Sequence, residues 1–119
     1  MPNSMEHARD WLNILLSIEL PKHEIFALHV KAGSISSLCK CGCHGFGFEI
    51  PEDLDLTPLA SSSGLFCEVF FKSNGDEDID ILLFTDDRGY FSGADVIWGP
   101  NIEDMPDDAK PVSLIEILY

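Results

Sequence analysis

At 119 residues, 45% hydrophobic and 24% charged, the chain has the length and composition of one folded domain spanning 1–119, and its mixture excludes a disordered segment. A formal charge of −14, from 21 acids against seven bases, excludes nucleic acid and anionic membrane surfaces as natural partners, because both require a basic face that displaces counterions. No apolar run approaches the ~20 residues of a membrane span, and "MPNSMEHARDW" has no basic and then apolar leader, so the cytoplasm is the expected location.

The chain opens on a helix signal. In "NSMEHARDWLNILLSIELP" Asn3 caps, Glu6 stands three residues on as the capping-box partner, and Pro21 closes the segment. Ala8, Trp11, Leu12, Leu15 and Leu16 recur at helical spacing and make the apolar face of a core helix. "PKHEIFALHVKAG" predicts a second, short helix, with Pro21 ahead of it, Glu24 early, Lys31 late and Gly33 as the stop. Its apolar residues mix two periods, so a strand is the alternative there.

From Ser34 the pattern turns to strand. "SISSLCKC" and "FGFEI" read as two short strands joined at Gly42, Cys43, His44 and Gly45, and "PEDLDLTPLASSSG" as a connecting loop. "LFCEVFFKS", "IDILLFTDD" and "YFSGADVIWG" then predict a three-stranded meander, with Asn74-Gly75 as a strong hairpin signal at its first turn. "PNIEDMPDDAKPVSL" should be an acidic, proline-rich surface loop. The closing "PVSLIEILY" is apolar enough to dock as a helix or as an edge strand. The sum is an α+β domain, with one or two N-terminal helices packed on an antiparallel sheet of about five strands, a hairpin plus the meander.

The most unusual stretch is "LCKCGCHGFGF". If extended, it puts Cys39, Cys41 and Cys43 on one side, and with Cys67 from a neighbouring strand these thiols form a candidate zinc site. The spacing argues against it, because alternate residues of a strand set their side chains ~7 Å apart and structural zinc knuckles leave two or more residues between paired ligands. The competing reading is small, buried, inert thiols, kept free by a reducing compartment, around glycines that allow a tight turn. Catalytic signals are thin. His7, His23, His29 and His44 are scattered, no G-x-S-x-G setting occurs, and "NGDEDID" lacks the order and terminal glutamate of a calcium loop, so a non-catalytic protein without an obligatory cofactor is expected.

The charge is uneven. Residues 60–119 hold 13 acids against three bases and residues 1–59 eight against four, which makes a basic protein the natural electrostatic complement. Taken together, "CKCGCHGFGFEI" and "ILLFTDDRGYFSGADVIWGPNIEDMPD" resemble a group of small uncharacterised bacterial proteins. Their shared features are a Cys-Gly-Cys turn, here Cys41, Gly42 and Cys43, then a strand matched by Gly89, Tyr90, Ser92, Asp95, Val96 and Trp98, then Pro100 and Pro106. Asp95 replaces the commoner glutamate, and His44 after the Cys-Gly-Cys is a departure.

Members of such groups are often encoded beside secreted toxins and resemble immunity proteins. The resemblance therefore implies an acidic protein-binding domain that covers a basic toxin domain. In that reading Asp76, Glu77, Asp78, Asp86, Asp87 and Asp95 form a carboxylate rim, and Tyr90 and Trp98 are exposed aromatic anchors. The alternative for the aromatics is cross-strand core packing. The competing functional classes are the zinc module on Cys39, Cys41, Cys43 and Cys67, and a structural protein, monomer or homodimer, with no ligand.

Overall fold

The computed structural model describes residues 3–40, 44–99, 105, 106 and 108–119. Two helices, α1 (Met5–Leu16) and α2 (His23–Ala32), pack on a six-stranded antiparallel sheet. Its strands are β1 (Ser34–Leu38), β2 (Phe46–Glu49), β3 (Gly64–Ser73), β4 (Asp78–Thr85), β5 (Phe91–Trp98) and β6 (Pro111–Leu118), in the spatial order β1-β2-β5-β4-β3-β6. The α+β class, the hairpin and the meander match the expectation. The sixth strand is the closing segment, which takes the edge-strand alternative beside β3.

Helix α1 starts one residue later than Asn3 suggested. Ser4 sits in extended backbone and its side chain accepts from the His7 N–H at 3.1 Å, while the Asn3 Oδ1 accepts only from the adjacent Ser4 N–H at 2.9 Å and its Nδ2 donates to the Gly45 carbonyl at 2.6 Å. The amide of Asn3 thus pins the start of the helix to the β1–β2 connection. The helix ends at Ser17, whose hydroxyl and N–H both return to the Ile14 carbonyl, a tight closure that stops the ladder before Ile18. Helix α2 has no side-chain cap. Lys22 enters it in the left-handed region at φ 53°, and His23 Nε2 bonds to the last carbonyl of α1, that of Leu16, at 2.8 Å. The stop at Gly33 is as expected, its N–H closing on the His29 carbonyl.

The core lies between helices and sheet. Ala8, Trp11, Leu12 and Leu15 of α1 and Phe26 of α2 join Phe46, Phe48, Val69, Ile79, Ile81, Leu83, Phe91 and Val96 of the sheet in one cluster. Phe91 is its centre, with ring centroids 5.1 Å from Phe26 and 5.0 Å from Phe48. Beside it, the wholly buried His29 ties helix, loop and strand together. The Phe91 N–H donates to Nδ1 at 3.2 Å, which leaves the proton on Nε2 to be donated to the Thr57 carbonyl at 2.7 Å. Gly93 lets β2 and β5 approach, since at φ +147° any Cβ there would run into the Phe46 carbonyl.

Candidate protein-binding surface

Strand alternation divides the sheet into two faces of different character. Along β4 the residues Ile79, Ile81, Leu83 and Thr85 are buried under the helices, and Asp80, Leu82 and Phe84 between them are half-buried on the opposite face. Cross-strand partners share a face, so that second face also carries Glu68 and Phe70 of β3 and Asp95 and Ile97 of β5. Apolar rings and carboxylates therefore interleave on the face turned away from the helix layer, a mixture suited to a partner presenting cations among apolar groups.

The carboxylates there are not equivalent. Asp95 is exposed. Asp80 has its carboxyl pushed up to about 7, first by burial and then by the hydrogen bond and charge of neighbouring Glu68. Its Oδ1 is buried without a hydrogen-bond partner among the described residues. Neither Glu68 nor Asp80 is conspicuous in the sequence. The signal that could have found the pair is the alternation "DIDILLFT" itself, which puts Asp80 opposite the core-facing Ile79 and Ile81.

The acids expected to form one rim fall at different places. Asp76, Glu77 and Asp78 sit at the β3–β4 turn, and Asp86 and Asp87 at the β4–β5 turn. The eight residues of β4 put those turns about 24 Å apart, at opposite ends of the sheet. Asp78 is exposed and lies 3.9 Å from Lys72. Asp86 is a structural residue. Its carboxylate accepts from the N–H groups of Arg88 at 2.9 Å and Tyr90 at 3.1 Å and from the Arg88 guanidinium at 3.0 Å.

Both aromatic anchors are corrected: they are buried. Tyr90 points into the molecule, where its hydroxyl accepts from the Leu56 N–H at 2.7 Å and its ring lies edge-on to His29 and beneath the Arg88 guanidinium, 4.4 Å from the centroid. Trp98 faces the helix side, as do Val96 and Ala94, and packs beside Gly75 of the β3–β4 turn. Both positions belong to the cross-strand packing alternative, not to an exposed surface.

The cysteine reading is corrected too. Cys67 is free, buried in β3, and its thiol is pushed up to about 12 by burial. Cys39 is disulfide-bonded, so it is not the free thiol that the competing reading expects. Three strands separate β1 from β3, so the two positions are roughly 19 Å apart, far beyond the reach of one ion. Cys39 and Cys67 therefore cannot share one zinc ion, and Cys41 and Cys43 lie outside the described residues. Among the described residues no group of three or more His, Cys, Asp or Glu side chains could hold a metal ion.

His44, which follows the cysteines, is instead a core residue. Its ring stacks on His7 at 4.0 Å, and its Nδ1 accepts the Trp11 indole N–H at 3.1 Å. These three side chains line a cavity of about 450 Å³ between α1 and residues 109–111. Sequence reasoning missed this grouping, because it joins positions 33 or more residues apart through the β1–β2 connection. The chain matches no protein-family model, no curated protein and no solved structure. No helix among the described residues is long and apolar enough to cross a membrane.

Proposed function

We propose that this chain is a non-catalytic, acidic protein-binding domain acting in the cytoplasm, and that its basic partner is a toxin domain it neutralises as an immunity protein. The observation that carries this reading is the surplus of carboxylates, −14 overall, of which Glu68, Asp80 and Asp95 lie among apolar side chains on the sheet face turned away from the helices. Acidic fields speed encounter with a basic surface, and interleaved apolar groups supply the contact area that charge alone does not.

The test is co-expression with the product of the neighbouring gene, followed by purification of the pair. The expected outcome is restored growth and a 1:1 complex whose association slows as salt rises. A neighbour that is harmless, or toxic and not neutralised, together with no binding to any basic domain, sinks the reading.

A further inference from the structure

The two edges of the sheet are finished differently. Edge strand β1 is short and serine-rich, with exposed Ser34, Ser36 and Ser37. Edge strand β6 has eight residues and carries the apolar exposure of the molecule: among the described residues, five of the nine large exposed apolar side chains lie in 112–119. Val112 is 68% exposed and Ile115 49%. Natural edges of this length are blunted with lysine, proline or a bulge within the strand or covered by another element, because their outward N–H and C=O groups template a further strand. Here the single charge inside the strand is Glu116, the single proline stands at its start, and the register against β3 skips Val112 and Ile115, two bulges whose side chains are left exposed.

The strand is also complementary to itself. Leu114 and Ile117 pair with the buried Phe71 and Val69 and so lie on the helix side, whereas Ser113 and Glu116 pair with Lys72 and Phe70 on the other side. A two-fold axis perpendicular to the sheet, passing between Leu114 and Ile115, preserves those sides, and because it runs through the bulge at Ile115, residues three apart such as Ser113 and Glu116 share a side across it. It sets Leu114 against Ile115 of the second copy, Val112 against Ile117, and Ser113 against Glu116. Apolar residues meet apolar ones, each Glu116 carboxylate meets a hydroxyl, and no like charges are opposed.

We infer that β6 pairs antiparallel with β6 of a second copy, joining two sheets into one of twelve strands through an isologous interface. The occupant is a second copy and not an unrelated strand because the order apolar-polar-apolar, apolar-polar-apolar in "VSLIEI" is unchanged by the two-fold axis. The charge of −14 on each copy opposes the association at long range, and salt screens it. Self-pairing must therefore tighten as salt rises, the reverse of binding to a basic partner.

Sedimentation of the full chain over a range of concentration and salt tests this. The expected result is reversible dimerisation to twice the 13.2 kDa chain mass, stronger at high salt. Ile115→Lys should weaken the dimer by tenfold or more, and Val112→Lys, at a more exposed position, should do the same if the first variant melts early. Ser113→Lys should tighten it at low salt several-fold, since each new ammonium faces Glu116 across the axis. A chain that stays monomeric at high salt and millimolar concentration overturns the inference. So does a dimer indifferent to Ile115→Lys and Val112→Lys, and one that Ser113→Lys leaves unchanged overturns the register.

Discussion

The two turns that close β4 are both acidic, and they use their acids in opposite ways. At the β4–β5 turn Asp86 faces inward along the chain: it receives two backbone N–H groups and a guanidinium, while Arg88 passes on to the carbonyls of Ile50 at 3.0 Å and Pro51 at 3.2 Å. At the β3–β4 turn Asp76 and Asp78 are exposed, and what organises the backbone is Ser73 and Asn74 instead. The Asn74 carboxamide accepts from the Lys110 N–H at 3.1 Å and donates to the Asp108 carbonyl at 3.0 Å, anchoring the segment that leads into β6. Identical side-chain chemistry is thus structural at one end of the sheet and a solvated charge at the other. The difference lies in which neighbours offer donors.

The largest expected effect is at the structural end. Asp86→Ala removes charged hydrogen bonds and strands the Arg88 and Tyr90 N–H groups, so a loss of about 2–3 kcal/mol is expected, or a fall in Tm of roughly 10 °C. A thermal melt that moves by less than a degree or two would show the two turns to be alike after all. Tyr90→Phe should follow at about 1–2 kcal/mol, because it leaves the Leu56 N–H without its 2.7 Å acceptor while keeping the ring against His29. Chemical denaturation with an unchanged m-value checks it.

Asp80 sharpens the comparison, since it is an acid neither integrated like Asp86 nor solvated like Asp76. Its folded pKa of about 7 stands above the ordinary 3.8, so folding favours the protonated form. The sign follows: the stabilisation linked to this proton is fully present below about pH 4 and is lost as pH rises toward 7. Partial solvent access screens it, so its signature is the slope and not the size. Tm measured between pH 5 and 8 should fall more steeply in the native chain than in Asp80→Asn, which should be the more stable of the two above pH 7. Parallel curves would show that burial and Glu68 do not hold the proton.

How far such roles were legible depended on the range of the interactions behind them. The helix and strand segments and the antiparallel meander follow from local periodicity, and the structure keeps them. Plain alternation back from Val96 already puts Tyr90 on the core side with Trp98, against the exposed-anchor expectation, whereas the register shift between Phe84 and Thr85, which brings Phe91 to that side as well, leaves no mark in the sequence. Asn74-Gly75 marked a turn correctly, yet the strands part at Lys72 and Asp78, and the loop is shaped by the distant Lys110 and by Trp98 over Gly75. The remoteness of Cys39 from Cys67, and the burial of His44 under Trp11 and His7, depend on strand order and helix docking. Sequence spacing carries no information on either.

The smallest expected effect on stability belongs to the solvated turn, and it separates the two kinds of acid most cleanly. Asp76→Asn, Glu77→Gln and Asp78→Asn together remove three charges, and the ion pair that Asp78 makes with Lys72 at 3.9 Å is exposed on both sides. Such pairs contribute about 0–1 kcal/mol, and relief of self-repulsion in a chain of charge −14 opposes even that, so Tm should stay within a degree or two. Binding responds differently. If this turn helps to steer a basic partner, the variant should associate several-fold more slowly at low salt, dissociate at an unchanged rate, and match the native chain once salt screens the field. An unchanged association rate in a variant of unchanged stability would take the turn out of the interface and leave the basic partner to the Glu68, Asp80 and Asp95 face.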